Sequence, residues 1–215
     1  MAFGTLAIQS CETEENEPDI PYYKFTATNK EWLKLKNGES WVFETTSGKQ
    51  QKYIIHGIKE KIKEAYHPSN FGGIISGASS ATYYYDEVEI EIMRTDSVND
   101  NLLVFRRELP TGADKRHPPK GEGEFKFGGT WRNYRGSGVY EGIYGNINVS
   151  PNQVNYQSGT TLQVRGKVYN NVIAISATPN GTEIQKAYID NIYYAQQAGV
   201  IRMVSKTGEI WDRVP

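Results

Sequence analysis

"NIYYAQQAGVIRMVSKTGEIWDRV", residues 191–214, reads as short strands folded around tight turns. Tyr193 and Tyr194 give way at Gly199 to an apolar run that opens with Val200 and Ile201, and Thr207-Gly208 reverses the chain before Ile210 and Trp211. Glycine supplies the backbone freedom that such reversals need, and β-branched and aromatic residues suit a half-buried pleated surface. A chain end frays unless it is tied down. Side chains this apolar are therefore expected to be paired into a sheet and buried on one side.

Moving upstream, the same texture persists. "TYYYDEVEIEIMRTDS", residues 82–97, sets Val88, Ile90 and Ile92 against Glu87, Glu89 and Glu91, a period of two that predicts a strand with one buried and one wet face. Its expected partner is "NLLVFRREL", Asn101 to Leu109, across a turn near residues 97–100. "ESWVFETTSGKQQKYIIHGIKEKIKEAY" predicts a hairpin that turns at Ser47-Gly48 and continues as a long strand from Tyr53 to Tyr66. Ile58 and Ile62 are four apart, as on a helix, but Gly57 and the β context favour strand. Asn180-Gly181 suits another tight turn. Trp32, Leu33 and Leu35 supply the first apolar anchor. Two Gly-, Ser- and Pro-rich stretches, 67–81 and 110–123, read as long loops, with Pro118-Pro119 placed between two halves of the sheet.

Composition agrees with an all-β class: 15 Tyr and 21 Gly in 215 residues, with apolar residues in short runs. Lys and Arg number 24 against 25 Asp and Glu, and no basic stripe runs along any segment, so a nucleic-acid partner is not expected. The lone cysteine, Cys11, leaves no intramolecular disulfide or Cys-based metal site. No apolar run approaches the ~18 residues of a spanning helix.

Cys11 stands between the apolar "MAFGTLAIQS" and the acidic "ETEENEPDIP". This junction resembles that of a bacterial lipoprotein: "IQSC", residues 8–11, is similar to a lipobox, which implies that Cys11 is lipidated. Glu12, Glu14 and Glu15 resemble the acidic export signal that follows the cysteine in Bacteroidetes surface lipoproteins. The positively charged start of a signal peptide is missing, so an upstream start is expected. The implied organisation is a signal remnant at 1–10, an acidic flexible tether at 11–21 and a single β domain at 22–215, anchored in the outer membrane by lipid.

The segment around residues 171–211 carries a second resemblance, through Asn171-Val172, Tyr193-Tyr194-Ala195, Gly199-Val200-Ile201 and Gly208-Glu209-Ile210-Trp211. It is similar to the closing segment of periplasmic and outer-membrane lipoproteins of Gram-negative bacteria, Bacteroidetes in particular. The resemblance implies a strongly curved antiparallel sheet, half-barrel or open barrel in outline. Asp96-Ser97-Val98 resembles the short O-glycosylation motif of Bacteroidetes secreted proteins.

Patterns that carry chemistry are sparse. His56, His67 and His117 lie far apart without metal-ligand spacing, so no metal or other cofactor is expected. No G-x-S-x-G occurs, and "GEGEFKFGG" flanks strand residues and opens no helix. Glu87, Glu89 and Glu91 stand about 7 Å apart along one strand face, a separation that glycoside hydrolysis can use but that a solvated sheet face also produces. No catalytic residue is assigned. The best binding candidate is "FGGTWRNYRGSGVYEGIYG", where Trp131, Arg132, Tyr134, Arg135, Tyr140 and Tyr144 combine aromatic faces with guanidinium donors suited to a sugar ring or a protein partner. The expectation is a non-catalytic, lipid-anchored protein that binds an outer-membrane complex component or a glycan, with a lipid carrier or a polysaccharide-acting enzyme as the alternatives. An apolar concave face with an open mouth would favour the carrier, a filled one the binding protein.

Overall fold

A computed structural model describes residues 20–66, 81–96, 100–121, 123–132, 146–153, 160–176, 178–179, 189–205 and 207–215. These residues form thirteen strands in one sheet: β1 (Tyr22–Tyr23), β2 (Ser40–Glu44), β3 (Gln50–Tyr66), β4 (Ala81–Arg94), β5 (Asp100–Glu108), β6 (Glu124–Arg132), β7 (Asn146–Gln153), β8 (Thr160–Val164), β9 (Lys167–Ser176), β10 (Thr178–Pro179), β11 (Ile189–Ala195), β12 (Gly199–Ser205) and β13 (Ile210–Arg213). One short helix, α1 (Ala27–Lys30), and a 3-10 turn at Glu31–Leu33 sit between β1 and β2. The protein is all-β, as the alternation of its residues predicts.

Sheet order runs β10-β7-β6-β5-β4-β3-β2-β13-β12-β11-β9-β8, with β1 parallel to the far end of β4 and every other pairing antiparallel. Two runs of neighbouring hairpins thus meet at one seam, where Asp212 and Arg213 of β13 pair with Glu44 and Phe43 of β2. That pairing ties down the aromatic segment 191–214. Both hairpins at the seam turn in the same way. Thr45 accepts from Lys49 N and Gly48 N, Ser205 accepts from Glu209 N and Gly208 N, and both glycines lie at φ +81°. The two turns lie side by side, bridged by Lys49 Nζ to Glu209 at 3.0 Å.

The sheet is open but sharply curled. β6 and β11 are seven strands apart in the order, roughly 34 Å along a flat sheet. Yet the Phe127 and Tyr194 rings lie 5.3 Å apart, and Phe105 and Tyr194 lie 5.5 Å apart. The opposite ends of the order are also brought together by the chain, because β9 ends at Ser176 and β10 begins at Thr178.

Inside the curl, side chains fill the space. Trp32, Trp41, Phe43, Tyr53, Phe105, Phe127 and Tyr194 are all buried in one apolar cluster with Ile55, Ile90, Ile92 and Met203. Each fully buried side chain of this size contributes about 1.5–3 kcal/mol through removal from water. The segment between β1 and β2 covers part of this interior. A reciprocal capping box between Thr26 and Asn29 starts α1, and Trp32 then stacks on Tyr194, whose hydroxyl donates to Trp32 O at 2.6 Å.

The long strand expected at 53–66 is present as β3, and β4 pairs with β5 as predicted. Residues 67–80, the expected first loop, lie outside the described residues, and Ala81 already belongs to β4. The Pro118-Pro119 stretch does not separate two halves of the sheet. β5 and β6 are direct neighbours, paired from Leu102–Thr130 to Glu108–Glu124, and the Pro-rich loop is their connection. A residue that cannot donate to a ladder suits a sheet boundary, but a long hairpin connection accommodates it equally well.

Candidate functional site

The three glutamates of β4 form an ion-pair ladder with β3 and β5. Lys59 bonds Glu91, Lys61 bonds Glu89, and Glu87 lies between Arg106 at 2.6 Å and Lys63 at 3.4 Å. The hydrogen bond from Lys61 holds the Glu89 carboxyl below its ordinary range, and that from Lys59 does the same for Glu91. The wet face predicted for these residues is real for Glu89 and Glu91. Glu87 departs from it, with only 2% of its surface exposed, because Arg106 and Lys63 close over it. Every carboxylate of the row faces a cation, so the row is a charge zipper along a hairpin.

Nearby, Asp86 fastens β1 to the sheet. Its carboxylate accepts from Tyr22 Oη and from Phe25 N, each at 2.7 Å. Burial first, and the Asp86 contact second, push the Tyr22 hydroxyl up to about 12. Tyr83 rises to about 12 as well, chiefly through burial.

The aromatic binding segment is only partly placed. Trp131 and Arg132 end β6, in register with Ile147 and Asn146 of β7, while Tyr134, Arg135, Tyr140 and Tyr144 lie outside the described residues. Cys11, Glu12, Glu14 and Glu15 lie outside them too, as do Ser97 and Val98 of the glycosylation-like triplet. Asp96, its first residue, accepts from Arg94 at 2.7 Å. His56 sits 4.0 Å from Glu91, and His117 sits 3.0 Å from Asp114; His67 is outside the described residues. Among the described residues no group of three His, Cys, Asp or Glu side chains is placed to hold a metal ion.

A cleft that sequence reading does not reveal lies on the outer face of the sheet. Asn171, at φ +52°, interrupts β9: residues 172–176 pair with β11, and the register with β8 shifts between Val172 and Tyr169. Asparagine adopts the left-handed region more readily than most residues, and Asn171 is fixed there by its amide on Gln196 at 2.6 Å and by its carbonyl on Gln196 N. The β8–β9 hairpin then folds back over the second face. Val164, Tyr169 and Val172 pack on Ala195 and Ile201, and Arg165 at the tip reaches Glu44 of β2 at 2.7 Å, four strands away in the order. The amide of Gln50, and next the guanidinium of Arg165, hold the Glu44 carboxyl below its ordinary range.

A cleft of about 520 Å³, open to solvent, lies between the hairpin, the outer surface of β2 and β3, and residues 213–215. Its walls are mainly polar. Arg213 donates to Ala198 O and to Glu39 at 3.0 Å, with its guanidinium 5.0 Å from the Trp41 ring centre. Lys167 stands 4.9 Å over the ring of Tyr169. Lys52 of β3 also lines the cleft, so that Lys52, Lys167 and Arg213 reach it from segments far apart in the chain. The only local cue is "VRGKVY", whose Arg165-Gly166 forms the tight turn that aims the hairpin.

Comparison with protein-family models, with curated proteins and with solved structures finds no match to this chain.

Proposed function

We propose that this is a non-catalytic binding protein, held in the outer membrane by lipid on Cys11, whose β-body engages a partner at its surface. The partner classes are a protein component of an outer-membrane complex or a glycan. The observation that carries the reading is the filled interior. Seven large aromatic side chains occupy the concave face of the sheet, where a carrier of the same outline needs an apolar cavity for its cargo. The pairing of Glu87, Glu89 and Glu91 with cations also speaks against the glycosidase alternative, which requires one carboxyl kept protonated and both free to reach a sugar.

Anchoring and binding are tested together by isolating the protein from its native membrane under mild detergent, then measuring the intact mass and its companions. The expected result is an acylated mature chain that starts at Cys11, recovered with a stable partner. An unmodified thiol at Cys11 overturns the anchor, and hydrolysis of polysaccharide by the pure protein overturns the non-catalytic assignment.

A further inference from the structure

We infer that the cleft beneath the β8–β9 hairpin is a binding site for a small sugar-like ligand that carries a carboxylate or a phosphate. The volume of about 520 Å³ is that of a small-molecule site. Its side chains bring three cations against one carboxylate. Of the four charged side chains that line it, Glu39 and Arg213 satisfy each other at 3.0 Å, which leaves Lys52 on the β3 wall and Lys167 on the hairpin wall. Among the described residues neither lysine has a carboxylate partner, whereas Lys49, Lys59, Lys61 and Lys63 elsewhere on β3 and its turn each have one.

Lysines that approach one polar space from two walls favour an anion between them, and charge-assisted hydrogen bonds are about twice as strong as neutral ones. Lys167 rests over the Tyr169 ring, a contact that favours this orientation of its side chain before a ligand arrives. Ser40 adds a hydroxyl to the lining and Gln197 an amide oxygen, its nitrogen being bonded to Glu31, and both suit hydroxyls more than an apolar body. A nucleic-acid strand does not fit this pattern, because two lysines in one cleft offer no track along a phosphate backbone. None of the residues that line the cleft belongs to the segment at 131–144, and binding there does not depend on lipid on Cys11, so its failure and the failure of the reading above are distinguishable.

The test is a titration of the isotopically labelled full chain, followed by amide chemical shifts, with glucuronate, glucose 1-phosphate, methyl glucoside and inorganic phosphate in parallel. Saturable shifts at Lys52, Lys167, Tyr169, Gln197 and Val214 are expected with glucuronate, with glucose 1-phosphate or with both, and the responding arm identifies the anion. In the double variant Lys52→Gln/Lys167→Gln the affinity should fall roughly tenfold or more, as loss of paired charge contacts implies. Both lysines are exposed, and the folded state of the variant is checked by its thermal transition. Absence of saturable shifts with either anionic sugar overturns the inference. So do equal shifts with methyl glucoside or with inorganic phosphate alone, and so does unchanged affinity in a folded double variant.

Discussion

Gly199 shows how one residue holds both sides of this fold. It opens β12 at φ +78°, and a methyl group on its Cα would come within 2.6 Å of the buried Trp41 ring. The left-handed backbone alone costs an L-residue about 1–2 kcal/mol. Trp41 cannot retreat, because its indole nitrogen donates to Glu39 at 2.8 Å and its ring is packed in the interior. Gly199→Ala is therefore expected to lose roughly 2–4 kcal/mol of stability, the backbone cost plus overpacking. Gly208→Ala supplies the control, since its φ is +81° but no atom lies within 4 Å of the added methyl. Its loss should stay near the backbone cost of about 1–2 kcal/mol. Urea unfolding of the two variants measures the difference, and equal losses would remove the assigned contact between Gly199 and Trp41. Tyr194 adds a second residue-scale device. Its hydroxyl lies wholly inside and donates to Trp32 O at 2.6 Å, and burial pushes its pKa upward. Tyr194→Phe leaves that bond unmade, at a cost of about 1–3 kcal/mol.

At the scale of elements, the β3–β4–β5 ladder makes stability depend on acidity. The Glu89 and Glu91 carboxyls sit below their ordinary 4.5, held there first by Lys61 and Lys59. A carboxyl whose pKa is depressed by folding stabilises the folded state above its unfolded value, and that contribution is lost as pH falls through the folded value. Glu89→Gln/Glu91→Gln should therefore narrow the gap to the wild type as pH falls below 4.5, with the wild type more stable near neutrality. Parallel stability curves across that range would dismiss the ladder as a contributor. The strand is legible in the sequence, from a period of two in residues 87–92, but the facing of its charges on the lysines of the preceding strand is not, because it depends on the register of the two strands. The burial of Glu87 was not legible, because it depends on Arg106 from a third strand. Asn171 was hidden for another reason. It lies inside "VYNNVIAI", whose β-branched residues read as one straight strand, and only its contact with Gln196 reveals the bend. Asn171→Gly should leave the hairpin seated, while Asn171→Val, which resists positive φ, should unseat it and raise the rate of limited proteolysis within residues 160–170. Equal proteolysis of the two variants would show that the kink does not position the overhang.

For the whole molecule the deciding quantity is where the aromatic side chains go. An open sheet of this length can cradle a ligand on its concave face or bury its own side chains there. Sequence indicates a curved all-β body, but not which option it takes, since the contact of Phe105 and Phe127 with Tyr194 joins segments some seventy to ninety residues apart. The short ring distances there leave an apolar guest no room. A fluorescent fatty acid such as cis-parinaric acid is therefore expected to show no saturable binding to the wild-type chain. Phe127→Ala removes a fully buried ring, at a cost of about 3–5 kcal/mol. If the variant stays folded, the void it creates lies among apolar walls of the kind that stays dry and admits small apolar guests. Benzene or xenon should then enter the variant and not the wild type, and a thermal shift in saturated solution reads the difference. Stoichiometric uptake of the fatty acid by the unaltered protein would instead mean that the aromatic cluster opens in solution, and a carrier would replace the surface-binding body.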